Sequence, residues 1–243
     1  MPVSTYKLHR IYNCPVPGST RPARCSVDAI LKFDDPESPH CVYNEYVSLR
    51  LAQTCHVPVA DGGLILCGDG HAFASLELDS PGFPLPDVVP SLRDEVAERY
   101  PNEVAALVAF DVWVGNWDRG EAVKASVGNP HLNLFGAYDH SHALLNIEAD
   151  PSQSIERLHS ADLVVQFHPF YGRVRSDLLE HWLSRICGVS DDTIASVCCF
   201  SQPFRGVTLG LQEALGEALC WRKGNIRDIV KNSQKTVRSI PGP

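Results

Sequence analysis

The sequence has no uninterrupted apolar run of about 18 residues, so no segment reads as a membrane span. Its start, MPVSTYKLHRIYNC, lacks an apolar h-region and does not read as a secretory signal. It has no C-x-x-C pair. Its nine cysteines are odd in number and scattered, and the adjacent Cys198 and Cys199 lack zinc-ligand spacing. Most are expected to be small buried hydrophobes in a reducing, cytoplasmic setting. There is no Walker A loop, no G-x-G-x-x-G and no G-x-S-x-G, which removes support for those three enzyme classes. No internal repeat or low-complexity tract occurs. An excess of basic charge is also missing: the net charge of −8 argues against whole-surface, nonspecific nucleic-acid binding.

What is present suits a folded chain. The 243 residues are 44% hydrophobic and 21% charged, enough for a real core. Residues 5–13 and 25–33 read as strands joined by a turn-rich loop. In 42–55, Tyr43, Val47, Leu51 and Cys55 recur at four-residue spacing, predicting a helix that Pro58 stops. GLILC, a Gly-Asp-Gly turn at 68–70 and AFASLEL predict a hairpin. A proline-rich connector, 79–90, leads to a helix over 92–100 with Ser91 as its expected cap, then a helix over 102–115 that is apolar almost all round. A hairpin is expected over 122–138. Helices are expected over 175–187, over 191–199 behind Ser190, over 207–222 and over 225–236. Strands with one helix lie in front and helices behind, which predicts an α+β, two-lobed fold with a cleft between a lobe at 1–78 and one at 79–243.

The run FDVWVGNWDRGE raises the chemical question. Gly115 and Asn116 interrupt a buried helix and leave Asp118 beside Arg119, which costs solvation energy unless a partner or ligand needs the acid there. AYDHSHAL then places Asp139 after a short strand. Phosphoryl transfer needs a strand lysine for the phosphates, a helix glutamate to hold it, an acid to orient the attacking hydroxyl and a carboxylate for Mg²⁺. Lys32, Glu45, Asp118 and Asp139 occur in that order and on those elements.

AILKF, YNEYVSLRLA, VGNWDRG and AYDHSHAL together resemble the HipA-like kinases, relatives of protein kinases and of the phosphatidylinositol-kinase group. The likeness spans nearly the whole chain in element order and is residue-specific at those stretches. It implies a bilobal kinase-like fold and ATP- and Mg²⁺-dependent phosphorylation of serine or threonine on a protein. By position, Lys32 would bind the ATP phosphates and Glu45 would hold it. Asp118 would orient the nucleophile, Asn116 and Arg119 would brace the loop, and Asp139 would bind Mg²⁺. Adenine would sit near Ser75, Glu77 and Leu78. Gly18, Ser19 and Thr20 would cover the phosphates, although their loop is poor in glycine. The family's metal-site Asn, five residues past the catalytic Asp, is replaced here by Val123, so Glu121 becomes the substitute ligand; Asn133 is expected to point away.

Other classes stay open. A pseudokinase or interaction protein with an antitoxin-like or other regulatory partner is favoured by Val123, and a small-molecule or lipid kinase stays open because acceptor specificity lies in loops such as 150–175. His140 and His142 could pair on a metal, but loop or core roles fit better. The four tryptophans, Trp113, Trp117, Trp182 and Trp221, read as core anchors. The tail 222–238, with six basic residues and one acidic, could touch nucleic acid, although a solvated last helix explains it as well.

Overall fold

The computed structural model describes residues 8–12, 16–17, 22–68, 70–78, 85–129, 131–233, 237 and 239–242. β1 (Leu8–Tyr12) pairs antiparallel with β2 (Arg24–Val27), with Ile11 opposite Cys25. The strand predicted over 25–33 is two strands. It breaks at Asp28, whose carbonyl accepts from the Glu77 amide at 3.4 Å, and continues as β3 (Ala29–Lys32) in another sheet. There β3 and β4 (Gly62–Cys67) flank β5 (Gly70–Leu76), all antiparallel, with Lys32 opposite Phe73. The β4–β5 hairpin is as predicted.

Helix α1 (Cys41–Cys55) packs against β4 and β5. It buries the predicted row Tyr43, Val47, Leu51 and Cys55, but also Asn44, Glu45 and Ser48. It ends before Pro58, at left-handed His56 (φ 60°), whose amide donates to the Ala52 and Gln53 carbonyls.

The helical lobe is built around α3 (Pro101–Val114), buried from Val104 to Val114 as its apolar run demands. α2 (Arg93–Arg99) precedes it. Ser91 is not a cap, because Pro90–Leu92 forms a 3₁₀ turn and α2 starts without side-chain capping. β6 (Val123–Ala125) and β7 (Phe135–Ala137) form the expected hairpin. An unpredicted helix, α4 (Pro151–Leu158), is capped by Asp150, which accepts from the Ser152 amide. β8 (Val174–Arg175), α5 (Ser176–Cys187) and α6 (Asp191–Cys198) follow. Ser190 caps α6 as expected, accepting from Thr193 N–H.

The two last predicted helices are one, α7 (Leu209–Asn232). An interior glycine costs a helix about 1 kcal/mol. That is outweighed here because Leu215, Leu219, Arg222, Ile226 and Ile229 continue one buried stripe past exposed Gly224. The chain then ends in β9 (Ser239–Ile240), parallel to β8. The tail is therefore not simply solvated: Arg222 is fully buried and donates to the Val112, Leu158, Ser160 and Asp162 carbonyls, while Lys223 meets Asp191 at 2.5 Å. Trp113 and Trp182 are buried core anchors, but Trp117 is 44% exposed. The cysteines depart from expectation too. Cys41, Cys55 and Cys198 are buried, Cys187, Cys199 and Cys220 are half-buried, and Cys25 and Cys67 are exposed on the thin β-lobe.

Backbone bonds weld the β6–β7 hairpin to chain from both sides. The Ala60 amide donates to the Ala137 carbonyl (2.8 Å), the Ala137 amide to Pro58 (3.0 Å) and the Val88 amide to Val123 (2.8 Å). The molecule is thus α+β and bilobal, with a cleft at this joint. Among the described residues no helix is long and apolar enough to cross a membrane.

Candidate active site

A cleft of about 310 Å³ is lined by Lys32 and Ile30 of β3, by Ser75–Leu78 at the end of β5, and by Asp87, Tyr138 and Asp139. Lys32 Nζ lies 2.6 Å from Glu45 Oε1 and 2.9 Å from Asp139 Oδ1, so residues distant in sequence meet at one ammonium. Glu45 Oε1 also accepts from the His140 amide at 2.8 Å. Asp139 Oδ1 accepts from the Ser141 hydroxyl at 2.7 Å. Burial works against the Lys32 charge, but Glu45 and Asp139 outweigh it and raise the lysine pKa. Burial pushes the Glu45 carboxyl up, with Lys32 opposing. Burial pushes Asp139 up as well, yet Lys32 and the Ser141 hydrogen bonds hold it well below the usual carboxylate range.

Asp139 has a left-handed backbone (φ 65°), a conformation that persists only where its surroundings enforce it. They do. Asn116 Nδ2 and Arg119 Nη1 donate to its carbonyl at 3.3 and 3.2 Å. Arg119 is fully buried and clasps Asp111 in a two-pronged pair, with Nε and Nη2 each 2.8 Å from a carboxylate oxygen. It donates further to the Tyr138 carbonyl and to Ala122, and Nη2 lies 3.0 Å from His140 Nε2. Arg119 can only donate, so His140 Nε2 accepts and the histidine proton sits on Nδ1. Burial, with Arg119 alongside, pushes His140 down to about 3, so it is neutral.

Asp111 was missed from sequence. Its side chain is wholly buried, and burial should raise its pKa, but Arg119 and His168 hold it well below the carboxylate range. The Phe170 amide donates to His168 Nδ1, so Nε2 carries the proton and donates to Asp111 at 3.0 Å. The available signal was a lone acid inside an apolar helix, eight residues before an arginine. Tyr138, Asp87 and Ser141 were missed as well; Tyr138 donates to Asp87 at 2.8 Å on the cleft wall.

The helix ends where predicted. Gly115 adopts φ 69°, and a Cβ there would meet Ile147 Cδ1 at 2.6 Å, so glycine suits both the turn and the packing. Just beyond it, Asp118 is left in the open: its side chain is 55% exposed and 3.9 Å from His142 Nε2.

The structure therefore brings together Lys32, Glu45 and Asp139, sets Asn116 and Arg119 behind the Asp139 backbone, and puts Ser75, Glu77 and Leu78 on the cleft wall. Asp118 lines a neighbouring depression instead. Glu121 is exposed on the turn before β6 and is not among the cleft-lining residues. Gly18, Ser19 and Thr20 lie outside the described residues. Val123 is buried against the core and Asn133 is exposed. His140 and His142 face different partners, Arg119 and Asp118.

No family model matches the sequence, and no curated protein matches it. Solved structures do. The proinflammatory kinase CtkA of Helicobacter pylori aligns over 96% of this chain and 97% of its own, with a TM-score of 0.61 at 14% identity. HipA of Shewanella oneidensis MR-1, solved with HipB and its operator DNA, aligns over 86% of this chain with a TM-score of 0.56 at 16% identity. The fold is that of the HipA-like kinases. The chain spans 62% of the HipA chain's length. Identities this low transfer the fold rather than an activity.

Proposed function

We propose that this chain is an ATP- and Mg²⁺-dependent phosphotransferase acting on a serine or threonine hydroxyl of a protein. The carrying observation is Lys32 held between Glu45 and Asp139 at a cleft whose apolar lining is Ile30, Leu76 and Leu78. The apolar wall suits a purine, and the Lys32 ammonium suits a phosphate.

Of the predicted metal ligands only Asp139 lines the cleft. That fits Mg²⁺, which commonly takes one or two protein carboxylates and completes its shell with water and substrate phosphates. Asp139 would hold the ion, which supplies charge neutralisation on the transferring group. Glu45 keeps Lys32 aimed at the phosphates. Asp118, exposed and next to His142, accepts a hydrogen bond from the incoming hydroxyl and orients it. Arg119 and Asn116 fix the backbone that carries Asp139. Catalysis by these groups is positioning and electrostatics. Division into lobes at 1–78 and 79–243, a cytoplasmic location where ATP is abundant, and a regulatory protein partner, supported by the HipB-bound HipA neighbour, belong to the same proposal.

A second reading, a nucleotide-binding pseudokinase, is favoured by buried Val123 together with Glu121 outside the cleft, which leave one predicted metal carboxylate at the site. Thermal shift with ATP, with and without Mg²⁺, followed by radiolabel transfer, separates the two. Transfer that Asp118→Ala abolishes while nucleotide affinity survives supports the kinase. Binding without transfer selects the pseudokinase. Full turnover in Asp118→Ala would overturn the assigned mechanism.

A further inference from the structure

A second depression, of about 660 Å³, contains Asp118 together with Arg93, Trp117, Phe167 and Tyr171. The 139–142 segment carries both Asp139, which lines the first cleft, and His142, which meets Asp118 at 3.9 Å. We propose that this depression is the acceptor site and that it selects a peptide serine or threonine flanked by one apolar and one acidic residue. This deepens, and rests on, the phosphotransferase reading above.

Three features define the occupant. Phe167 is 85% exposed and shares the depression with Trp117, 44% exposed, so two aromatic surfaces stand open where an apolar side chain could cover them. Arg93 supplies the charge. Its Nε is buried without a hydrogen-bond partner, and the half-buried side chain borders the depression with no ion pair to a carboxylate among the described residues. The guanidinium borders the depression, and a ligand carboxylate there would supply its counter-charge through a charge-assisted bond. Asp118 is the third feature, an exposed acid within the same depression, placed to receive the acceptor hydroxyl.

The wall is also preorganised. His168, next to Phe167, is anchored on Asp111, and Tyr171 donates its hydroxyl proton to the Val165 carbonyl at 2.6 Å. The exposed Phe167 therefore sits on a segment tied down at both sides, and less ordering entropy is lost when a peptide binds.

The test is an array of peptides with a fixed central serine or threonine and varied neighbours, phosphorylated with ATP and Mg²⁺ by wild type, Arg93→Glu and Phe167→Ala. Wild type should favour an acidic neighbour by roughly tenfold, the scale of one charge-assisted hydrogen bond. Arg93→Glu should reverse that preference toward basic neighbours, and Phe167→Ala should flatten the apolar one. Should Arg93→Glu fail to fold by thermal unfolding, Arg93→Gln should lose the acidic preference without gaining a basic one. Transfer that ignores neighbouring residues, or an acidic preference that survives at position 93, overturns the acceptor assignment and leaves the kinase standing. Nucleotide binding with no transfer to any peptide or protein overturns both.

Discussion

Replacing Asp111 by asparagine isolates the charge that organises the site, since the side chain keeps its shape and leaves no cavity. In the native protein Arg119 is wholly buried, and Asp111 is its counter-ion at 2.8 Å through two hydrogen bonds. Asp111→Asn leaves a buried guanidinium without a balancing charge and turns an amide group toward its donors. Breaking a buried pair from one side costs about 3–5 kcal/mol. For a chain of this size each kcal/mol moves the melting temperature by about 2–4 °C, so a fall of roughly 6–20 °C is expected. Differential scanning calorimetry reads it, with Asp177→Asn as control because its pair with Arg175 is solvent-exposed and should contribute almost nothing. The double variant Asp111→Leu/Arg119→Met should recover only part of the loss, because the carbonyls of Ala122, Tyr138 and Asp139 that Arg119 now satisfies would be left without it. A fall of less than about 2 °C in Asp111→Asn, the scale of an ordinary surface change, would refute the assignment of Asp111–Arg119 as the brace behind Asp139.

Stability should fall as pH drops below about 6.5, the ordinary histidine value, because His140 resists protonation when folded (its pKa is about 3) while the unfolded chain takes up the proton. At pH 5 this amounts to roughly 2 kcal/mol, read by urea denaturation at pH 7 and pH 5; equal midpoints would contradict a neutral buried His140. The Asp111 and Asp139 carboxyls, held below their unfolded values, add a second loss that begins only near pH 4, as the unfolded carboxylates protonate first. Gly136→Ala would place a Cβ 2.5 Å from Leu78 Cδ1, so this cleft-wall leucine must shift. Overpacking of this kind costs roughly 1–3 kcal/mol, and weaker ATP binding by calorimetric titration is the expected result. Val123→Asn introduces the residue type of the motif this segment resembles but buries an amide in the core, so a destabilisation of about 1–3 kcal/mol without gain in Mg²⁺ affinity is expected. A tighter metal site would show that Val123 faces the ion.

Much of the fold was legible because it is written in short-range pattern. The row Tyr43–Val47–Leu51–Cys55, the apolar run closed by Gly115 and the Gly-Asp-Gly hairpin each specify an element within a dozen or so residues. For the candidate site, the types and order of Lys32, Glu45 and Asp139 led to an expected cluster, and the structure brings these three to one ammonium. Two of the departures share a cause. The split at Asp28 and the fusion of α7 across Gly224 depend on neighbours far along the chain, and local propensity was overridden there, whereas the helix over Pro151–Leu158 carries its own local start signal, Asp150 before Pro151.

The sequence by itself determined most of the elements, their order and the chemistry each could offer, because periodicity, turn residues and side-chain type are local properties. Only the tertiary structure decided how that chemistry is held. His168 reaches Asp111 across 57 positions, and the His140 amide reaches Glu45 across 95. Tertiary packing also left Asp118 open in its own depression and Glu121 outside the cleft. Such contacts arise when packing excludes water and forces each buried charge to find a partner, and no local spacing encodes which partner that will be.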